Sequence, residues 1–167
     1  MSVTYKKMSL FDAPEAAYIV HACNAKGVWG SGIAKQILDR YPKAFLAYKD
    51  LCLRAGDRAV GHAVQSHFIP EVQKHIVYNL ITSVGYGSAK SSKEDILIYT
   101  TLAIEEMCKH VTELAIMNEN IEDVYTCKIN SGLFNVPWEE TENIIKLMAN
   151  RWPRVNWIVC DPDLQAT

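Results

Sequence analysis

Three short stretches of this chain gather the residue types that hold a phosphorylated ligand. In 24–34, NAKGVWGSGIA, Asn24 is followed by Gly27, Gly30 and Gly32, and Gly32, Ile33 and Ala34 open an amphipathic segment. Glycines let backbone N–H groups approach an anion closely, and a helix N-terminus adds its own unpaired donors. Asn24 carries one acceptor and two donors on a short side chain, suited to a sugar hydroxyl or to a water beside it, although an isolated Asn is more often a turn former. Cys23 and Lys26 flank it, Lys26 as either a cation for the ligand or a solvated loop lysine. In 128–138, KINSGLFNVPW, Gly132 permits close approach, Ser131 can donate and Phe134 offers a flat face for a ribose. Asn130, Leu133 and Asn135 complete that loop, and its alternative is a plain strand-to-helix connection with a buried Phe. The third stretch, 85–90 or GYGSAK, has a nucleotide-type glycine pattern, but the helical pattern starts only near Lys93. It reads as a flap or a solvated loop.

Other chemistry is sparse. His21, in the apolar run entering the Asn24 loop, is the second catalytic candidate, by reach to a ligand, with a satisfied core histidine as its alternative. The five histidines have no zinc-site spacing, and no Ser or Cys shows a partnered base, so neither a metal site nor triad chemistry is expected. Asp12, Asp161 and Asp163 are the carboxylates best placed for loops at a sheet edge.

These loops need a scaffold. Segments 18–22, 59–65, 75–81, 124–129 and 155–160 read as short strands, with 3–6 as a weaker sixth. Helical patterns fall at 32–39, 42–54, 93–119 and 138–150; the longest carries Leu97, Thr100, Ile104, Met107, Val111 and Leu114 at helical spacing. Intermingled strands and helices imply an α/β fold, a three-layer α/β/α sandwich with a mixed, largely parallel central sheet. In such sheets ligands bind outside the carboxyl ends of the strands, where loops 24–31, 82–92 and 130–137 all fall.

At 167 residues, 49% hydrophobic and 22% charged, the chain fits one domain spanning 1–167 with an ordinary core. A net charge of -2 argues against general nucleic-acid binding. Five scattered cysteines without a CxxC pair read as reduced thiols. The segment MSVTYKKMSLF lacks a secretory pattern and no apolar run reaches membrane-spanning length, which leads to the expectation of a soluble, intracellular, cytoplasmic protein with no membrane partner.

With Asn24, the Gly30-Ser31-Gly32-Ile33-Ala34 turn and the Ser131-Gly132-Leu133-Phe134-Asn135 loop in view, the chain resembles a macro domain over nearly its whole length. It is most similar to the compact subgroup containing ADP-ribose-1''-phosphate phosphatases, through the tail GIAKQILDRYPKAFLAYKD as well. The resemblance implies binding of ADP-ribose and ADP-ribose-1''-phosphate at the carboxyl edge of the sheet, with no cofactor or metal in most subgroups, by a monomer. It implies that Asn24 contacts the distal ribose and takes part in turnover, that Gly30, Ser31, Gly32 and Ile33 form the glycine turn, and that Ser131 to Phe134 grip the diphosphate, with Asn130 beside them. Ser9, Leu10 and Asp12 are the implied base-end residues: Ser9 stands where the family's adenine-reading acid falls, and Asp12 is its substitute. Asn135 replaces a common glycine, and Trp29 a histidine frequent in viral-type members. The implied activity is removal of the terminal phosphate of ADP-ribose-1''-phosphate, a by-product of tRNA splicing. A non-catalytic ADP-ribose reader and an ADP-ribosyl hydrolase stay open. Against the hydrolase, Ser83 and Phe134 stand in place of that subgroup's lysine and aspartate, Ala34 in place of another subgroup's aspartate, and Lys90 or Lys93 serves only if the middle loop folds back.

Overall fold

A computed structural model describes residues 3–165. Six segments form strands: β1 (Val3–Lys6), β2 (Tyr18–Asn24), β3 (Ala63–Gln65), β4 (Ile76–Ser83), β5 (Glu122–Thr126) and β6 (Val155–Cys160). The α-helices are α1 (Gly32–Arg40), α2 (Phe45–Ala55), α3 (Lys93–Met117) and α4 (Trp138–Arg151). The sheet order is β1-β6-β5-β2-β4-β3, parallel throughout except where β3 runs against β4. The mixed, largely parallel sheet expected from the sequence is therefore the one found.

Side-chain alternation along β2 explains the layers. Ile19 and Cys23 face a core built with Ile37 of α1 and Tyr48 and Cys52 of α2, whereas Tyr18 and Val20 face Ile104, Met107 and Val111 of α3 and Ile145 of α4. Covered on both faces, the central strand is apolar at nearly every position rather than at alternate ones. After β2 the chain departs through α1 and α2 toward β3 and β4 on one side; α3 then carries it to β5 on the other. Loops leaving the carboxyl ends of β2 and β5 thus diverge, and a crevice opens between them.

Several boundaries differ from expectation for local reasons. Strand β3 begins at Ala63 and not at 59, because a 3-10 turn covers Gly56–Ala59 and Gly61 takes φ +80°. The segment 42–54 divides into a 3-10 turn at Pro42–Ala44 and then α2. Strand β5 runs Glu122–Thr126 rather than 124–129, because its ladder with β6 opens at Glu122 against Val155 and closes at Thr126 against Val159, after which residues 127–129 line the crevice. On α3 the buried stripe includes Ile96, Ala103, Cys108 and Ala115, while Leu97 and Leu114 lie at its half-buried margins.

Asn130 ties the last loop to three elements. Its Oδ1 accepts from Thr82 Oγ1 (2.9 Å) and its Nδ2 donates to Thr100 Oγ1 (2.9 Å) and Thr141 Oγ1 (3.3 Å), all buried, with φ at +67°. Asn130→Ala leaves the Thr82 hydroxyl without its acceptor, removes a donor to Thr100 and Thr141, and loses the residue type that tolerates a left-handed backbone. The expected cost is about 3 kcal/mol, a fall in Tm of roughly 6 to 12 °C for a domain of this size, readable by calorimetry.

Candidate functional site

A cleft of about 810 Å³ lies at the carboxyl edge, within the range of small-molecule sites. Its walls come from the ends of β2, β5 and β6 and the loops that follow, with Tyr86 and Gly87 of the middle loop at the margin. The register of β2 against β4 slips at its end, Cys23 pairing with Ile81 and Asn24 with Ser83, so Thr82 is the extra residue of a bulge on β4 and Asn24 is the last paired residue of β2 before the loop. Asn24 then folds the next residues around itself. Its Oδ1 accepts from Lys26 N–H (2.9 Å) and lies 3.1 Å from the Tyr48 hydroxyl, and its Nδ2 donates to Val28 O (2.9 Å). One amide hydrogen is left, so Asn24 can still donate to a ligand oxygen.

The glycine turn supplies the anion donors. Ser31 stands at the N-cap of α1 in extended backbone and its hydroxyl makes no capping bond; Gly32, at φ +61°, begins the helix. Among the described residues, the N–H groups of Gly30, Ser31, Gly32 and Ile33 have no acceptor, and all four residues line the cleft. These are the orphan donors of a helix N-terminus, at its positive dipole end. Across the cleft, Asn135 N–H bonds Gly132 O (2.9 Å) and Val136 N–H bonds Asn130 O (2.9 Å), closing a tight loop. The N–H groups of Gly132, Leu133 and Phe134 are likewise without acceptors among the described residues, and they too line the cleft. Two runs of residues whose backbone donors are free therefore line one cleft.

The carboxylate on that lining is neutralised. Asp161, after β6, bonds Lys128 Nζ at 2.9 Å, and this pairing holds the Asp161 carboxyl below its ordinary range. Ser9, Leu10, Cys160 and Pro162 bound the same end. Sequence reasoning had Asp161 at a sheet edge and missed its partner, because adjacency of the ends of β5 and β6 follows only from the strand order. Ala34 and Gln36 were missed as lining residues; α1 presenting its first turns to the cleft is the signal that would have found them.

Four candidates lie outside the lining. Asp12 accepts from Ser9 N–H (3.3 Å) in a capping box and is exposed beside the lining. Lys26 is drawn off to Asp57 (2.9 Å). Asn135, at φ +55°, shapes the turn, an Asn tolerating the backbone that glycine adopts freely. His21 is fully buried behind the cleft, so it does not reach a ligand. Its Nε2–H donates to Asn79 Oδ1 (2.7 Å), Asn79 Nδ2 continues to Ser66 Oγ (2.9 Å), and the ring packs edge-on against Trp29. Among the remaining candidates, Ser9, Leu10, Cys23, Asn24, Gly30, Ser31, Gly32, Ile33 and 130–134 all line one cleft.

Burial pushes His21 down to about 4, against a hydrogen bond to Asn79 that acts the other way. Its imidazole is neutral in the folded protein, while the unfolded chain takes up a proton as pH falls through about 6.5. The unfolded state then binds more protons, so stability is full above pH 6.5 and declines toward pH 4, by about 3 kcal/mol from this group. His75, pushed down mainly by burial, acts in the same direction. Denaturant titrations from pH 7 to 4 should show this slope, and His21→Gln should flatten it.

The lysines that a folded-back middle loop would supply are elsewhere. Lys93 pairs with Glu140 of α4 (3.3 Å), and Lys90 is not on the lining. Ser83 anchors that loop instead, donating to Gly85 O (2.7 Å) and accepting from Ser91 N–H (2.9 Å). Among the described residues, no three His, Cys, Asp or Glu side chains converge as a metal site, no helix is long and apolar enough to cross a membrane, and all five cysteines are free.

Backbone donors from a strand-to-helix turn and from a second loop, converging at the switch point of a largely parallel sheet, define an α/β domain for phosphate-bearing small molecules. Residues 20–145 match the family model described as Macro domain, and the chain belongs to that family. A Neosartorya fischeri protein named ADP-ribose 1''-phosphate phosphatase is 33% identical, the match covering 86% of this chain and 88% of that protein. One of the same name from Saccharomyces cerevisiae is 31% identical, covering 87% and 92%. Among solved structures, the macrodomain of Thermus aquaticus DarG superposes with a TM-score of 0.76 over 96% of this chain and 98% of that one; at 22% identity it attests the fold alone.

Proposed function

We propose that this protein is an ADP-ribose-1''-phosphate phosphatase, hydrolysing the terminal monoester to ADP-ribose and inorganic phosphate. The observation that carries this reading is the pair of loops with free backbone donors lining one cleft, whose carboxylate is already paired with a lysine. Such a site accepts a polyanion without a repelling charge. The names of the fungal relatives, which match over nearly their whole length, support the same activity.

In this reading the donors of Gly132, Leu133 and Phe134 hold the diphosphate, Phe134 packs a ribose, and the α1 N-terminus faces the terminal phosphoryl group. Water attacks phosphorus, the bond from phosphorus to the sugar oxygen breaks, and the departing sugar oxygen takes up a proton. Fixed N–H groups stabilise the charge on the phosphoryl oxygens, and the spare amide hydrogen of Asn24 adds a donor on the ribose side. The chain acts as one macro domain and a monomer in this reading, and the free thiols support a reducing, cytoplasmic setting. The hydrolase alternative is weakened because neither Lys90 nor Lys93 lines the cleft.

The test offers the purified protein ADP-ribose-1''-phosphate, glutamate-ADP-ribosylated protein and free ADP-ribose in parallel, with and without chelator. Phosphate release from the first alone supports the proposal. ADP-ribose released from the modified protein moves the assignment to the hydrolase, and binding without release moves it to a reader.

A further inference from the structure

Tyr48 of α2 lies outside the cleft lining, yet its hydroxyl meets the first anion loop at both ends. It donates to the backbone carbonyl of Asn24 (2.6 Å), with the side-chain Oδ1 3.1 Å away, and accepts from Val28 N–H (3.2 Å). Its ring is fully buried, stacks on Trp29 at 5.3 Å and 16°, and tilts against Phe45. Trp29 lines the cleft, so one side chain braces the turn's first residue, its fifth residue and the indole beyond. The donors of Gly30 to Ile33 follow directly on that braced segment.

We infer that Tyr48 is a positioning residue for the reaction, its hydroxyl setting the geometry of the glycine turn that presents the phosphoryl donors. This rests on the phosphatase reading above. The diphosphate loop is independent of Tyr48, so a ground-state ligand keeps that grip when the first loop loosens, whereas transition-state stabilisation depends on where the first loop's N–H groups stand. Loss of the hydroxyl should therefore lower kcat more than it raises KM.

Tyr48→Phe removes the hydroxyl and keeps the ring. Tyr41→Phe is the matched control, since Tyr41 also loses a buried bond, to His75 Nδ1 at 2.7 Å, in the same core but away from the cleft. The expected result is a fall in kcat of about 10- to 100-fold for Tyr48→Phe with KM within about threefold, and wild-type turnover for Tyr41→Phe. Hydrogen exchange is measured on the same samples, and Val28 N–H should lose protection only in Tyr48→Phe. Equal losses of turnover in both variants, or unchanged kcat and unchanged Val28 exchange in Tyr48→Phe, overturn the inference. Silent wild type overturns the phosphatase reading instead. The exchange result then decides Tyr48 alone: protection lost at Val28 upholds its bracing of the loop, and protection kept refutes it.

Discussion

Gly132→Glu should leave a folded protein that no longer binds ADP-ribose or turns over its phosphorylated form. A Cβ built at Gly132 meets nothing within 4 Å, and the residue lines the cleft, so the new side chain has room without disturbing the core. Its carboxylate would stand beside the donors of Leu133 and Phe134, competing with the diphosphate for them and repelling it. The expected loss of affinity is at least 100-fold, on the order of 3 kcal/mol or more. Calorimetric titration with ADP-ribose checks it, with an unchanged Tm as proof of folding. Retained affinity would place the diphosphate elsewhere.

Asn24→Ala has the second largest expected effect. The substitution deletes the acceptor of Lys26 N–H and the donor to Val28 O, together with the spare amide hydrogen. Trp29, Phe45 and Tyr48 still pack on one another, so the fold should persist at a cost of about 1 to 3 kcal/mol. The rate depends on positioned donors, and removing one from an oxyanion site costs roughly 100- to 1,000-fold in kcat. Steady-state phosphate release from ADP-ribose-1''-phosphate should fall by that factor, with a smaller change in ADP-ribose affinity. A loss of ADP-ribose affinity with kcat unchanged would make Asn24 a determinant of binding alone.

Backbone chemistry was the legible part of this sequence. Strands β1 and β6 sit where β-branched runs end in polar residues, and the glycines of both loops announced close approach to an anion. What stayed hidden was set by tertiary adjacency. Lys128 and Asp161 meet only because β5 and β6 are neighbours, and Tyr48 looks like an ordinary core tyrosine until α2 is laid against the first loop. Small residues also hide burial: Ala103 and Ala115 face the core of α3 while the larger Leu97 and Leu114 mark only its margins. Histidine 21 illustrates the converse, a reactive side chain whose burial against Asn79 leaves it a structural group.

The most direct measurement is phosphate release from ADP-ribose-1''-phosphate by wild type and Gly132→Glu side by side, with chelator present and ADP-ribose titrated into both. The account predicts steady turnover and binding in wild type and neither in the variant. ADP-ribose binding by wild type without phosphate release, or release that survives in Gly132→Glu, would contradict it.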